Sequence, residues 1–78
     1  MKDSTAIVQR ASEFLKEVEV ENEDLIEQFL YEADKNKDPD MLEAVKLILT
    51  KCTDGENPFT KYTYYDLIQA YEEIQNSK

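Results

Sequence analysis

The stretch Phe59-Thr60-Lys61-Tyr62-Thr63-Tyr64-Tyr65 decides the fold. Rich in threonine and aromatic residues, it has the composition of a β-strand. A strand needs a partner, and no second convincing one exists. The alternating segment Glu17-Val18-Glu19-Val20-Glu21 is short and carries like charges. The same residues also hold helix-start chemistry. Thr63 stands three positions before Asp66, a box-like pair, while Tyr62 and Leu67 bracket the cap as a hydrophobic staple does. Beyond it Tyr64, Leu67, Ile68, Tyr71 and Ile74 fall on one helical face. The helical reading is the stronger.

Three earlier segments have the same period. Ile7, Ala11, Phe14 and Val18 step by four, three and four, with Val8 and Leu15 widening the stripe and Asp3 or Ser4 able to cap its start. Leu25, Ile26, Phe29, Leu30 and Ala33 share a face behind Asn22, a plausible cap. The third start is the clearest: Asp38 as N-cap, Pro39 at N1 and Asp40 at N2. Met41, Leu42, Val45, Ile48, Leu49 and Cys52 line one side of that helix, and Asp54-Gly55 suits its end. The links, about Glu19–Glu21, Lys35–Lys37 and Thr53–Tyr62, are short and make neighbours antiparallel. The expectation is one all-α domain over residues 1–78, a small antiparallel four-helix bundle. Its core should join Phe14, Phe29, Leu30, Val45, Ile48, Leu49, Leu67, Ile68 and Tyr71.

Composition excludes several chemistries. The 78 residues contain no His, one Cys and one Gly. There is no imidazole base, no Ser-His or Cys-His nucleophile and no His metal site. A single thiol forms no internal disulfide or zinc cage, and one Gly cannot build a glycine-rich phosphate loop. No apolar run is long enough for a membrane span, and residues 1–10 hold no signal-like run. A cytoplasmic, non-catalytic protein without cofactor or metal is expected.

Charge is the main anomaly. Eighteen carboxylates against nine Lys and Arg give −9. Glu17, Glu19, Glu21, Glu23, Asp24, Glu27, Glu32 and Asp34 all fall within residues 17–34, where no Lys or Arg occurs. Acids in a first helical turn favour the helix dipole, but Glu17, Glu19, Glu32 and Asp34 lie outside it. The cluster is either a solvated face or a surface for a basic partner, since focused fields steer association. It opposes direct contact with nucleic acid, whose affinity comes from Lys and Arg.

Tyrosine is the second anomaly. Tyr62, Tyr64, Tyr65 and Tyr71 lie within ten residues, and Tyr31 sits on the acidic helix. Tyr64 and Tyr71 are in phase with the core. Tyr62 and Tyr65 are out of phase, serving as cover over the bundle end or as contact residues of the kind found at interface hot spots. The candidate partner-binding residues are therefore Glu19, Glu21, Glu23, Asp24, Glu27, Tyr31, Tyr62 and Tyr65. Two other features carry less. Asp34–Asp40 has calcium-loop oxygens at alternate positions, but Pro39 replaces the turn glycine and Val45 the closing glutamate. Cys52, on the apolar face of the third helix, is expected to be a buried, inert thiol.

Lys37-Asp38-Pro39, opening a helix through Leu42, Glu43 and Val45, resembles the bacteriocin immunity proteins of lactic acid bacteria. So does Phe59-Thr60-Lys61-Tyr62, followed by Leu67-Ile68 and Glu73-Ile74, with a one-residue gap after Tyr62. These segments span about half the chain. The resemblance implies a small cytosolic antiparallel four-helix bundle that protects against a toxin. Family members continue past the fourth helix into a specificity-associated tail, whereas this chain ends soon after Ile74, and many are basic. Residues and resemblance together lead to an acidic module, monomeric when free, that neutralises another protein bearing a basic surface. The alternatives are a phage or mobile-element inhibitor of a nucleic-acid enzyme that mimics phosphate with carboxylates, and a structural adaptor subunit.

Overall fold

Thr63 does begin a helix. The computed structural model describes residues 4–52 and 56–77, with Pro58–Thr60 forming one 3₁₀ turn and Tyr64–Asn76 the last α-helix, α4. The capping box is closed. The Thr63 hydroxyl accepts from the Tyr65 N–H at 3.2 Å, and the Thr63 N–H donates to Asp66 Oδ2 at 2.7 Å. No strand occurs among the described residues, so 59–65 and 17–21 do not pair. Three helices precede: α1 (Ser4–Lys16), α2 (Glu23–Asn36) and α3 (Pro39–Thr50). The chain is an all-α small four-helix bundle.

Each helix end has its own cause. At α3 the Asp38 carboxylate accepts from the N–H groups of Asp40 and Met41 at 2.9 and 3.4 Å, and Pro39 fills the position where a missing N–H costs nothing. Asn22 precedes α2 as expected, yet its side chain caps no N–H. Its backbone is left-handed, φ 62°, and its carbonyl receives the N–H groups of Leu25 and Ile26. Asparagine tolerates that conformation better than most residues. Lys37 ends α2 in the same region, φ 51°, without that advantage.

Several boundaries differ from the periodic reading. α1 stops at Lys16, so Val18 lies in the following loop, where it and Val20 still pack against the core. α3 stops at Thr50, four residues short of the expected Asp54-Gly55 stop, and Cys52 lies beyond it, half-buried rather than on an apolar helix face. Asp54 and Gly55 themselves lie outside the described residues, as does Asp3. Leu25 is 43% exposed. Successive residues turn by about 100°, and with Ile26 directed into the core Leu25 falls at the edge of the stripe.

Every helix sends a small residue into the core: Ala11, Ala33, Ala44 and Ala70 are all buried. Between them pack Leu15, Ile26, Phe29, Leu30, Met41, Val45, Ile48 and Leu67. Phe59, on the 3₁₀ turn, is buried with them, although its segment had the look of a linker. Phe14, Leu49, Ile68 and Tyr71, expected at the centre, are half-buried and close its margins. Tyr71 meets Phe29 edge to face at 5.7 Å, a favoured aromatic geometry. α3 is the hub. Apolar around much of its circumference, it packs on α1, α2 and α4, whereas α1 scarcely meets α4. First and last helices are therefore not side by side as in a simple ring of four.

Candidate functional site

The acidic surface is built on α2 and the loop that leads to it. Ile26, Phe29, Leu30 and Ala33 anchor the inner face of the helix. The 3.6-residue period then turns Asp24, Gln28, Tyr31 and Lys35 outward, and all four are exposed. Glu19 and Glu21 are exposed in the loop Glu17–Asn22. Glu23 is half-buried in the first turn, where with Asp24 it complements the positive helix end.

Two grooves flank this helix. Towards α1, a groove of about 380 Å³ is walled by Glu27, Tyr31 and Asp34 against Val8 and Lys16. Towards α4, a smaller one of about 180 Å³ is walled by Leu25, Gln28 and Glu32 against Tyr64. Tyr65, 70% exposed, lies edge-on to Tyr64 with ring centres 6.1 Å apart. Tyr31 is 63% exposed, and the Lys35 ammonium stands 5.8 Å from its ring centre. The α1 flank thus combines Glu27 and Asp34 with the exposed Tyr31, and the α4 flank combines Glu32 with Leu25 and Tyr64, whose neighbour Tyr65 is exposed.

Tyr62 has a different setting. It is half-buried against the core, with the Lys51 ammonium 5.4 Å from its ring centre at the far end of α3. The eight candidate residues therefore do not form one patch. Glu19, Glu21, Glu23, Asp24, Glu27 and Tyr31 belong to α2 and its approach, Tyr65 joins their α4 flank through Tyr64, and Tyr62 serves the α3–α4 corner. Leu25, exposed beside Glu32 and Tyr64, belongs to this surface but was absent from the sequence-based set. Its apolar character had placed it on the inner face of the helix with Ile26, Phe29, Leu30 and Ala33.

The charges of the surface are largely uncompensated. Among the described residues, Glu17, Glu19, Glu21, Glu23, Asp24 and Glu27 take part in no ion pair. The ion pairs that do form, Lys37–Asp34 at 3.2 Å and Lys61–Glu56 at 4.0 Å, lie at the exit of α2 and beyond α3. Carboxylates held this close repel one another and project a negative potential that a cationic surface would relieve. The calcium-like loop is otherwise employed, since Asp38 caps α3 and Asp34 faces Lys37. No known family, curated protein or solved structure matches the chain. No helix among the described residues is long and apolar enough to cross a membrane.

Proposed function

We propose that the protein is a non-catalytic binding module of the immunity or inhibitor kind, which neutralises a partner protein through a basic surface on that partner. It works in the cytoplasm and is a monomer until the partner arrives. The observation that carries this reading is the composition of α2 and its approach: Glu19, Glu21, Glu23, Asp24 and Glu27, which enter no ion pair among the described residues, with the exposed Tyr31 on the same helix and the exposed Tyr65 beside Tyr64. Carboxylates accelerate encounter with a cationic surface, and desolvated tyrosines hold what has docked. A purely solubilising face has no use for the tyrosines, which add exposed apolar area. The resemblance of Lys37-Asp38-Pro39 and Phe59-Thr60-Lys61-Tyr62 to bacteriocin immunity proteins supports the same class.

The test is site-specific photo-crosslinking in the native host from positions 28 and 69. Gln28 is exposed on α2, and Gln69 is exposed on α4 at the α3–α4 groove. The expected result is one basic protein captured from position 28 and not from 69, with the yield lost when Glu21, Glu23 and Asp24 become amides. Equal capture from both positions, or capture that ignores the amides, would defeat the proposal.

A further inference from the structure

The bundle also carries a site of opposite sign. Between α1 and α3 runs a groove of about 480 Å³, larger than either groove beside α2. Its apolar lining is Ala6, Ile7 and Leu49, with Cys52 at one end. Ile7 and Leu49 are half-buried, packed inward on the core and open outward. Arg10 and Lys46, one from each helix, are the charged residues of its lining, and the Arg10 guanidinium, 5.7 Å from the Phe14 ring centre, is shared with a neighbouring groove that contains Glu13 and Glu17. Both are exposed, and neither enters an ion pair among the described residues. The α1–α2, α2–α4 and α3–α4 grooves each contain at least one carboxylate. The α1–α3 groove contains none.

We infer that this groove binds a free single-chain carboxylate amphiphile, its head between Arg10 and Lys46 and its chain along Ile7 and Leu49. The site is of ordinary size for a small ligand, since such pockets run from about 300 to 1,000 Å³. Charge complementarity selects an anionic head. The net charge of −9 decides against larger anions. An anionic membrane or a nucleic acid would extend over the acidic surface and be repelled. A small monoanion responds mainly to charges within a Debye length, about 8 Å at physiological salt, and the charged residues of the groove's own lining are two cations. The Thr50 hydroxyl on the rim already donates to the Leu47 carbonyl at 3.0 Å, which leaves head recognition to Arg10 and Lys46. This inference does not depend on the partner proposed for α2.

Backbone amide shifts of the isotopically labelled protein, titrated with sodium decanoate below its micellar range, test it. Saturable shifts should be confined to residues 6–10 and 46–52. Acetate, which has the head without the chain, should need at least about a hundredfold higher concentration. The R10Q/K46Q variant, whose changes are on the surface, should keep the parent's circular dichroism and bind decanoate about tenfold more weakly. Decyltrimethylammonium should bind far less well than decanoate. An equal response to the cationic amphiphile, undiminished binding by R10Q/K46Q, or shifts spread through the core would each overturn the assignment.

Discussion

Asn57 and Phe14, 43 residues apart, are joined by a hydrogen bond of 2.6 Å from the Asn57 side-chain Nδ2 to the Phe14 carbonyl. That carbonyl lies in the last turn of α1 and also accepts the Glu17 N–H at 3.1 Å. The other end of the same amide is occupied, since Asn57 Oδ1 accepts the Phe59 N–H at 3.0 Å and so starts the 3₁₀ turn. One side chain thereby closes a helix end and fixes the entry of the segment that buries Phe59.

Asn57→Ala removes both bonds at a half-buried site. An unmet backbone group there costs about 1–3 kcal/mol, a substantial part of the few kcal/mol expected of a domain this small. The urea midpoint should fall accordingly. Asn57→Asp should not restore it: a carboxylate keeps the acceptor for Phe59 but has no donor for Phe14, and it faces the negative end of α1. A midpoint for Asn57→Asp equal to the parent's would show that the 2.6 Å contact contributes nothing.

In the core, Phe29→Ala deletes the ring that meets Tyr71, and Ile48→Ala empties the hub helix. Large-to-small changes at buried positions cost about 2–5 kcal/mol. Either variant should be largely unfolded at 37 °C by circular dichroism. Leu25→Ala, one residue before Ile26 but exposed, should cost well under half as much. Equal losses at positions 25 and 29 would mean that the phase of α2 is misplaced.

What was legible in the sequence was local. Asp38-Pro39 and the Thr63–Asp66 box make bonds two or three residues away, so their spacing states the geometry directly. The period of apolar residues likewise placed Phe29, Ile48 and Leu67 inside. Asn57 was not legible, because nothing near it marks Phe14 as its acceptor. Phe59 was missed for a related reason: its burial depends on that tether and not on a helical period. Cys52 was misplaced because the pattern of α3 continues in phase past Thr50, where the backbone has already left the helix. At the binding surface, composition identified the acids and tyrosines, but only tertiary packing parts Tyr62 from Tyr65 and puts Leu25 beside Tyr64.

Lys37 offers a stabilising change. Its φ of 51° crowds its Cβ against backbone, and glycine avoids that cost. Lys37→Gly forfeits the contact with Asp34, but exposed pairs contribute about 0–1 kcal/mol at most. The net expectation is a gain of up to about 1 kcal/mol, read as a higher melting temperature. Lys37→Val, β-branched and ill-suited to this region, should lower it. If both variants melt together, the left-handed turn is not held by the rest of the fold.

The binding surface makes a kinetic prediction that separates its two components. Replacing Glu21, Glu23 and Asp24 by Gln, Gln and Asn removes three charges from the approach to α2 without touching the buried stripe. Association with the basic partner should slow and its salt dependence flatten, because rim charges act on the encounter. Folding should survive: Glu21 and Asp24 are exposed and contribute little, and the first-turn dipole interaction lost at Glu23 and Asp24 costs about 0.3–1 kcal/mol each. Tyr65→Ala should leave association almost unchanged and speed dissociation, since anchored aromatic contacts act once the complex has formed. Tyr31→Ala should do the same from the other flank. Tyr62→Ala should instead lower thermal stability, because that ring packs on the core beneath Lys51. Stopped-flow binding at two salt concentrations, with a melting curve for each variant, distinguishes these outcomes. An association rate indifferent to both salt and the three amides would reduce the acids to a solubilising face.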